Sequence, residues 1–470
     1  MYQLNHLEDT IVAISTPIGH GGIGIIRLSG KNTLQVCDQL FLSKNKKWPS
    51  QFKSYTVHYG WVIQRQSGSS CEYDIIDEAL LTVMRAPKSY TKEDIVEISC
   101  HGGLVVLRRV LALAIELGAR LAEPGEFTKR AFLNGRIDLT QAEAVLDIIQ
   151  AKTDAFAKVG LQQLKGDLSL ELEGIREGLM KIYTGIEAIV NFPEDDLDLQ
   201  GKTRLLEEIR ASEERVMRLV ESSRNGQILK EGIKVVLCGK PNVGKSSLLN
   251  ALLKQPRAIV TEIAGTTRDT IEEIAQIKGI PFQLVDTAGI LNPRDVIEEE
   301  AIRRSHAHID SADLILFVLD GHQVLNNEDE LLIQNLQDKN LIVVYNKCDL
   351  EHRLSEDEIK NILPGKKIVK VSAITKAGIG DLEHTIIDSV WQGRAMDSHG
   401  LLISNARQIN ALKDCAAYMM KAEKIVQDGL SLEFISEEIK CAVNALDSIT
   451  GRNIDYDLLD RIFTEFCIGK

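Results

Sequence analysis

One short segment of the sequence has the residue types and spacing of a phosphate-binding loop. Residues 239–246 read Gly-Lys-Pro-Asn-Val-Gly-Lys-Ser and fit the pattern GxxxxGK(S/T). Glycines let backbone N–H groups turn toward phosphate oxygens, and a helix N-terminus adds partial positive charge. Lys245 would bring a full charge to the β and γ phosphates, and the Ser246 hydroxyl would coordinate Mg²⁺. The predicted chemistry is binding of a nucleoside triphosphate; a glycine-rich turn without a ligand is the alternative.

Three more polar segments follow along the chain, each at the end of an apolar run. They begin at Asp286, Asn346 and Ser372 and read Asp-Thr-Ala-Gly, Asn-Lys-Cys-Asp and Ser-Ala-Ile. Asp286 can hold the water shell of Mg²⁺, and the Gly289 amide can contact the γ-phosphate. The Asp349 carboxylate accepts two N–H donors that guanine presents and adenine lacks, so a wrong base leaves a buried charge unpaired. The predicted GTP contacts are Asn242, Val243, Gly244, Lys245, Ser246, Ser247, Thr261, Glu262, Ile263, Ala264, Gly265, Thr266, Thr267, Asp286, Thr287, Ala288, Gly289, Asn346, Lys347, Cys348, Asp349, Ser372, Ala373 and Ile374.

These four motifs, in this order, resemble those of the Ras-like superfamily of GTPases, and the resemblance covers residues 231–392. Residues 261–269, which read Thr-Glu-Ile-Ala-Gly-Thr-Thr-Arg-Asp, are similar to the switch loop of the TrmE–Era–EngA–Septin-like branch. The resemblance implies that Thr267 coordinates Mg²⁺ beside Ser246 when GTP is bound.

The residue after the Asp-Thr-Ala-Gly motif is Ile290, where many GTPases carry a glutamine that orients the attacking water. An aliphatic side chain cannot hold that water, so another group must assist hydrolysis. In the families that this chain resembles, an asparagine at the position of Asn242 helps to bind K⁺ where an arginine finger would lie. The same resemblance implies that oxygen atoms of Thr261, Ile263 and Thr266 complete the K⁺ site.

A second candidate for hydrolysis is Glu298, which opens an acidic segment downstream of that motif. By position it resembles the switch II glutamate that orients water in the TrmE family. The catalytic candidates in the nucleotide-binding region are therefore Glu298 and Asn242. The alternative for Glu298 is a solvated helix start, where an acidic side chain is favoured by the helix dipole.

Hydrophobic periodicity indicates which elements position these residues. Residues 233–390 alternate apolar strands with helical stretches, which is typical of a doubly wound α/β fold around a parallel sheet. Residues 1–120 alternate short strands with glycine turns, as in a small α+β domain. Apolar residues step by threes and fours over 161–189, which predicts one long helix, and helical periodicity returns after Trp391.

The predicted fold class is a Ras-like doubly wound P-loop G domain inserted into a discontinuous helical domain and preceded by a small α+β domain. The predicted boundaries are 1–122 for the α+β domain, 123–230 and 393–470 for the helical domain, and 231–392 for the G domain. A length of 470 residues fits about three domains.

Composition excludes several classes of protein. The formal net charge of −13 excludes binding of nucleic acid by bulk positive charge, although a local basic patch remains compatible with it. The eight cysteines form no CxxC pair, so a zinc knuckle and a dithiol motif are excluded. The N-terminus lacks the features of a signal peptide and no apolar run is long enough to span a membrane, so we expect a cytoplasmic protein without membrane contacts.

The segments that flank the G domain narrow the family. Residues 10–30, 97–103 and 123–144 and the ending Phe-Cys-Ile-Gly-Lys at 466–470 resemble the MnmE (TrmE) family of tRNA uridine-modification GTPases. This resemblance covers the whole chain in the same domain order. It implies a homodimer formed by the N-terminal domain, and a complex with an FAD-dependent partner, MnmG (GidA), as a heterotetramer or larger assembly. It also implies that the wobble uridine of tRNA receives an aminomethyl or carboxymethylaminomethyl group at carbon 5.

The same resemblance implies that 5-formyl- or methylene-tetrahydrofolate donates the one-carbon unit. The implied folate contacts are Arg27, Glu97, Arg136 and Lys470. This chain has Arg136 where the family can carry lysine, which keeps the charge but changes its geometry. Cys467 is a further catalytic candidate because a thiolate could attack or carry a one-carbon unit; a small apolar residue packed near the folate is the alternative.

Two other functions remain open at this point. A regulatory GTPase of ribosome or RNA assembly would share the G domain, although this chain has no second P-loop and no GXXG-type RNA element. A folate-binding enzyme with a degenerate G domain is disfavoured because all nucleotide motifs are intact.

Overall fold

The computed structural model describes residues 9–66, 72–191, 199–253, 272–286, 307–391 and 401–470. The chain folds into two compact units. Unit 1 comprises Met1–Leu146, Gln162–Ile209 and Tyr418–Lys470, and unit 2 comprises Asp147–Leu161 and Arg210–Ala417. The four predicted domain segments are finer than this division, so their boundaries stay a prediction.

The elements are numbered in chain order. The strands are β1 (Ile11–Ile14), β2 (Ile23–Ser29), β3 (Phe41–Ser43), β4 (Thr56–Arg65), β5 (Tyr73–Met84), β6 (Ile95–His101), β7 (Arg120–Leu121), β8 (Ile233–Cys238), β9 (Glu272–Ile277), β10 (Ile280–Asp286), β11 (Leu314–Asp320), β12 (Leu341–Asn346) and β13 (Lys367–Lys370). The helices are α1 (Thr33–Leu40), α2 (Leu104–Glu116), α3 (Glu126–Leu133), α4 (Leu139–Gln150), α5 (Asp154–Lys165), α6 (Asp167–Asn191), α7 (Leu199–Glu231), α8 (Lys245–Leu253), α9 (Asn327–Leu336), α10 (Glu356–Ile362), α11 (Ile379–Val390), α12 (Ala406–Gln427), α13 (Leu432–Thr450) and α14 (Tyr456–Thr464).

Unit 1 contains a seven-stranded sheet in the order β3-β4-β5-β6-β2-β1-β7. Its pairs are antiparallel except for β1 and β7, which are parallel. Alternate residues such as Ile26 and Ile98 face α2, where they pack with Leu107 and Val110 in one apolar core. The opposite face of the same strands carries Arg27, which lies directly across from Glu97.

The helical part of unit 1 is built on an apolar stripe of α6 that packs on α13. The sequence predicts one helix over 161–189, but the structure breaks it at Gly166, so this prediction is wrong. Gly166 has a φ of +94°, a conformation that ends the hydrogen-bond pattern of α5 and that residues with a Cβ rarely adopt. The buried stripe therefore begins after the break, at Leu168.

The C-terminal segment of the chain also packs within unit 1. Phe463 and Phe466 share an apolar cluster with Ala131 of α3 and with Leu139 and Ala142 of α4. This packing holds residues that follow α14 against the N-terminal part of the chain, which matters for the site described below.

Unit 2 contains a six-stranded sheet in the order β13-β12-β11-β8-β10-β9. All pairs are parallel except β9 with β10. Alternate residues of β8 enter two different cores. Val235 and Leu237 pack with α8 and α11, whereas Val236 and Cys238 share a core with residues of α9 and α10. Helices therefore cover both faces of the sheet, which confirms the predicted doubly wound α/β fold.

Boundaries agree best where the apolar pattern is strong. The apolar run over 314–320 predicts a strand, and the structure has β11 with the same bounds. The helical periodicity over 205–222 predicts a helix there, and α7 extends beyond this span at both ends. The antiparallel edge strand β9 and the long strand β4 escape the sequence reasoning. Within the described ranges, no helix is both long and apolar enough to cross a bilayer.

Candidate functional site

The predicted phosphate-binding loop connects β8 to α8 in unit 2, as the motif requires. Gly244 has a φ of +99°, and a Cβ at this position would overlap the side-chain amide of Asn346. Lys245 begins α8 and is buried, and its ammonium donates to the backbone carbonyls of Gly239 and Lys240, each at 2.9 Å. The loop thus wraps around its own lysine.

The charge of Lys245 is held in a costly environment. Burial lowers the pKa of this ammonium below its ordinary value, and the nearby Asp286 carboxylate offsets part of the shift. An anionic ligand in the loop would therefore stabilise the protonated lysine further.

Two side chains form a candidate site for a divalent cation at the end of β10. The Ser246 hydroxyl, which is exposed, donates to Asp286 Oδ2 at 2.8 Å. Asp286 Oδ1 is buried and makes no hydrogen bond within the described part of the chain. A hydroxyl beside a carboxylate with an unsatisfied oxygen fits the ligand preference of Mg²⁺.

Asn346 joins the phosphate-binding loop to the segment after β13. Its side-chain amide donates to the Val243 carbonyl at 2.8 Å, and its side-chain oxygen accepts from the Ala373 backbone N–H at 3.2 Å. Asn346 and Ser372 are buried, whereas Asp349 is exposed and Ile374 is 81% exposed. Three predicted motifs therefore meet at one edge of the sheet, with the Asp349 carboxylate open to solvent.

Lys347 provides a connection whose partner the sequence reasoning misses. Its ammonium donates to the Asn242 carbonyl at 3.0 Å and to Asp320 Oδ2 at 2.7 Å. Asp320 is buried at the end of β11, directly across from Asn346 in the neighbouring strand. The sequence feature that could have pointed to Asp320 is its place as the one acidic residue at the end of an otherwise apolar strand. Asn242 is exposed and Cys348 is half-buried.

A second connection fixes the other end of the loop. The Lys240 ammonium lies 2.5 Å from Asp329 Oδ2 and 3.1 Å from the side-chain oxygen of Asn326, which caps α9. The motif pattern allows any residue at position 240, so the sequence does not predict that Lys240 pairs with Asp329.

The remaining predictions around the nucleotide lie outside the described residues. They are Thr261, Glu262, Ile263, Ala264, Gly265, Thr266, Thr267, Thr287, Ala288, Gly289, Ile290 and Glu298. Of the predicted K⁺ ligands, only Asn242 is described.

In unit 1, the structure brings together the four residues implied to contact folate. Arg27 donates from Nε to Glu97 Oε1 at 2.8 Å, and its terminal nitrogen also lies 2.8 Å from the same oxygen. Another nitrogen of Arg27 donates to the Gly469 carbonyl at 3.2 Å. Because Gly469 immediately precedes Lys470, this bond links strand β2 to the C-terminal segment.

Two aromatic rings join this group. The Arg27 guanidinium lies 5.8 Å from the centre of the Tyr90 ring and 5.6 Å from that of Phe127, within cation–π range. The Arg136 guanidinium stacks on Tyr90 at 4.8 Å. We call this set, Arg27, Tyr90, Glu97, Phe127, Arg136 and Lys470, the Arg27 cluster. Tyr90 and Phe127 escape the sequence reasoning because single aromatic residues carry no motif.

Lys470 is half-buried in the Arg27 cluster. The Phe127 backbone N–H donates to its carbonyl at 3.1 Å. Burial lowers the pKa of the Lys470 ammonium, and the positive charge of Arg27 lowers it further, while Glu97 acts in the opposite direction. Cys467 has an exposed side chain, and its backbone carbonyl accepts from the N–H groups of Gly125 and Lys470. The Cys467 side chain is therefore accessible in this structure, and both roles considered for it stay predictions.

Helix α3 contacts the Arg27 cluster through Tyr90. The Thr128 hydroxyl lies 2.9 Å from the Tyr90 hydroxyl. Arg130, two residues on, is fully buried and pairs with Glu93 and Glu126. Burial would raise the pKa of Glu126, but hydrogen bonds from Arg120 and Arg130 outweigh it and lower the pKa. Arg130 is therefore compensated within the protein, and removal of one of its partners would leave an uncompensated buried charge.

Comparison with known proteins gives the same assignment over the whole chain. The sequence profile of the MnmE helical domain matches residues 139–467, and that of the GTP-binding protein TrmE N-terminus matches residues 10–136. The tRNA modification GTPase MnmE of Alkaliphilus oremlandii is 43% identical over 465 residues, which are 99% of this chain and 100% of that protein. The proteins of the same name from Desulforamulus reducens and Staphylococcus aureus are 43% and 40% identical, over 99% and 98% of this chain and 100% and 99% of their own lengths.

These matches extend over nearly the full length of this chain and of each relative. They confirm the resemblance on which the sequence analysis relies, and the expected class of enzyme, a GTP hydrolase. The chain belongs to the MnmE family of tRNA modification GTPases.

Proposed function

We propose that unit 2 binds GTP with Mg²⁺ at the loop between β8 and α8. The buried lysine Lys245 would contact the β and γ phosphates, and Asp349 would accept the two guanine N–H donors. Ser246 and Asp286 would hold Mg²⁺, with Thr267 joining them, and the cation would neutralise charge that develops on the phosphates. The orphaned Asp286 oxygen supports this placement.

The chain lacks a glutamine after the Asp-Thr-Ala-Gly motif, so hydrolysis needs other groups. We assign the orientation of water to Glu298 and the binding of K⁺ to Asn242, with Thr261, Ile263 and Thr266. The test compares turnover in K⁺ and Na⁺ at equal ionic strength. We expect faster hydrolysis in K⁺, and equal rates would exclude the K⁺ site.

The Arg27 cluster is the proposed site for 5-formyl- or methylene-tetrahydrofolate. Folate has a glutamate tail that attracts cations, and a pterin whose N–H edge prefers a carboxylate. Arg27, Arg136 and Lys470 supply three cations, and Tyr90 supplies an aromatic surface. Both contacts of Arg27 with Glu97 use Oε1, so Oε2 is available to a pterin N–H donor. The bound folate would supply the one-carbon unit.

The complete proposed reaction places an aminomethyl or carboxymethylaminomethyl group on carbon 5 of the tRNA wobble uridine. The chain would act as a homodimer with an FAD-dependent partner, MnmG (GidA), and GTP hydrolysis would drive a conformational change. Cys467, exposed and two residues before the Gly469 carbonyl that Arg27 contacts, is proposed as a further catalytic group.

One observation carries the folate assignment. Arg27, Glu97, Arg136 and Lys470 come from distant parts of the sequence. The fold pairs Arg27 with Glu97, bonds it to the carbonyl that precedes Lys470, and places Arg27 and Arg136 on one ring, Tyr90.

The test is mass spectrometry of wobble uridines in tRNA from a strain that lacks the gene. We expect carbon-5 modification to disappear and to return with the wild-type gene. Arg27→Ala and Lys245→Ala should each fail to restore it. Unaltered modification in the deletion strain would instead favour a regulatory GTPase of ribosome or RNA assembly.

A further inference from the structure

A long stretch of the N-terminal part of the chain contains no acidic residue. Between Asp38 and Glu72 there is no aspartate or glutamate, although the formal net charge of the whole chain is −13. The stretch contains four lysines and one arginine, and it also contains two of the three tryptophans. The basic residues are Lys44, Lys46, Lys47, Lys53 and Arg65.

A tight turn after β3 presents the first three lysines. The Ser43 hydroxyl donates to the Lys47 carbonyl at 2.8 Å and accepts from the Lys47 backbone N–H at 3.0 Å. Lys46 adopts a φ of +56°, which closes the turn. All four lysines are exposed, and none forms an ion pair with a carboxylate in the part of the chain that the structure describes. Their charges are therefore available to a partner.

Exposed aromatic rings lie among these cations. The Arg65 guanidinium is 5.3 Å from the centre of the Trp48 ring, and the Lys44 ammonium is 5.7 Å from that of Tyr59. Trp48 is 45% exposed and Tyr59 38% exposed. We call this set, Lys44, Lys46, Lys47, Trp48, Lys53, Tyr59 and Arg65, the basic–aromatic edge.

Acidic residues also border this edge, because Asp74, Asp77 and Glu78 of β5 lie across from Gln64, Val62 and Trp61. Asp38 accepts the Ser50 backbone N–H at 2.8 Å. Asp94 pairs with Arg85, and Glu78 hydrogen-bonds Tyr59, which raises the pKa of the Tyr59 phenol. Within the described part of the chain, none of the five cations of the edge forms an ion pair with these carboxylates.

The pairing register relates the edge to the Arg27 cluster. Val57 pairs with Thr82, Thr82 with Glu97, and Glu97 with Arg27, so the four residues form one row across β4, β5, β6 and β2. Tyr59, two residues from Val57, lies on the same face of the sheet. Three strand spacings separate Val57 from Arg27, about 14 Å. A polymer that follows this face to the sheet edge would meet Tyr59, whereas Arg65 donates to the Gln39 carbonyl of α1 and lies toward the face that packs on the helices.

We propose that the basic–aromatic edge binds the tRNA substrate through its phosphates and through stacking of unpaired bases. Cations interleaved with exposed aromatic rings are the combination that single-stranded RNA segments require. An anionic membrane surface also attracts lysines and exposed tryptophan, so vesicle binding is the opposing outcome of the test; the relatives are tRNA modification GTPases, which favours tRNA. This inference rests on the proposed function only in taking tRNA as the substrate, and it does not depend on the folate assignment.

The experiment titrates fluorescently labelled tRNA with the full-length protein, without folate, over a range of salt concentrations. Lys44→Gln, Lys47→Gln and Lys53→Gln are combined in one variant; this choice avoids Lys46, whose φ is positive. The logarithmic salt slope should fall by about 2, because each phosphate contact of a single strand contributes about 0.7. Affinity at moderate salt should fall by about 10- to 100-fold, and Trp48→Ala should weaken binding about tenfold through lost stacking.

The matched control combines Lys360→Gln, Lys367→Gln and Lys424→Gln, which removes the same charge from exposed lysines elsewhere. Its affinity and slope should stay within about twofold of wild type. Equal behaviour of the two triple variants would overturn the proposal. So would a change confined to self-association, measured by sedimentation, or binding of anionic phospholipid vesicles in place of tRNA.

A measurement on the wild-type chain guards against misfolded variants. Acetylation of Lys44, Lys47 and Lys53 should slow at least threefold when tRNA is added, while Lys360 and Lys367 react as before. Unchanged acetylation of the edge lysines would also overturn the proposal. Because no folate is present in these experiments, their failure is distinct from a failure of the folate assignment.

Discussion

The nucleotide site of unit 2 and the Arg27 cluster of unit 1 are built in opposite ways. In unit 2, the functional residues lie in short motifs at the carboxyl ends of neighbouring strands, where a parallel sheet brings them together. In unit 1, Arg27 reaches the Gly469 carbonyl across 442 positions of sequence. The first site follows from local spacing and sheet order, whereas the second exists only when the C-terminal segment packs on α3.

The two sites nevertheless share one electrostatic device. Each holds a lysine whose pKa is lowered mainly by burial, Lys245 in unit 2 and Lys470 in unit 1. An ammonium in such a place gains most when an anion arrives, because the ligand supplies the missing counter-charge. Both proposed sites therefore contain a partly buried ammonium group that an anionic ligand would stabilise. The following predictions test whether the two sites act independently.

The largest expected effect comes from Lys245→Ala. Loss of the charge that faces the phosphates should lower kcat for GTP hydrolysis by about 10²- to 10³-fold. Steady-state phosphate release measures it, with Lys360→Ala as the control that should keep wild-type turnover. Folate affinity should not change; a parallel loss of folate binding would show that the sites are not separately built.

Arg27→Ala should have the next largest effect. It removes hydrogen bonds between charged groups and leaves Glu97 without its partner, so the Kd for 5-formyltetrahydrofolate should rise about 10- to 100-fold. Calorimetry measures the affinity. Arg109→Ala, which removes the same charge from an exposed position on α2, is the control. GTP turnover should remain within twofold of wild type, and equal folate affinity of the two variants would contradict the assignment.

Tyr90 offers a finer test of the Arg27 cluster. Tyr90→Ala removes the ring on which Arg27 and Arg136 lie and should weaken folate binding about tenfold. Tyr90→Phe keeps the ring and loses only the hydrogen bond with Thr128, so its effect should stay within about threefold. An equal loss in both variants would assign the effect to the hydroxyl, and no loss in either would remove Tyr90 from the site; both results contradict the stacking argument.

The smallest expected effect is a pH dependence from Lys470. Its lowered pKa means that the ammonium is fully charged only below that pKa, and attraction for a folate carboxylate is lost as pH rises through it. Folate affinity should therefore start to fall at a lower pH than an ordinary lysine would give. Lys470→Arg keeps its charge over this range and should abolish the fall. A profile that is the same for both proteins would remove Lys470 from the site.

The sequence predicts where the described nucleotide motifs lie in the fold, because the information for their placement is local. The run Ile233–Leu237 indicates a buried strand, and the motif after it needs only that strand and the next helix. Asp320 is harder, since its bond to Lys347 depends on the neighbouring strands aligning across β11 and β12. A single acidic residue after an apolar run does not predict its partner.

The Arg27 cluster could not be assembled from spacing alone. Family resemblance supplied Arg27, Glu97, Arg136 and Lys470, but nothing in the sequence periodicity brings residue 27 beside residue 469. Tyr90 was not predicted either, because a single aromatic residue belongs to no motif. The helix prediction failed at Gly166 because the apolar spacing continues across this residue, whereas its positive φ interrupts the helical backbone.

A folate site in unit 1 is tested most directly by calorimetric titration of the full-length wild-type chain with 5-formyltetrahydrofolate, repeated with Lys245→Ala. We predict saturable binding of one folate per chain, with the same affinity in both proteins. Absence of saturable binding, or its loss in the Lys245→Ala variant, would contradict a folate site in unit 1 that is built independently of the nucleotide site.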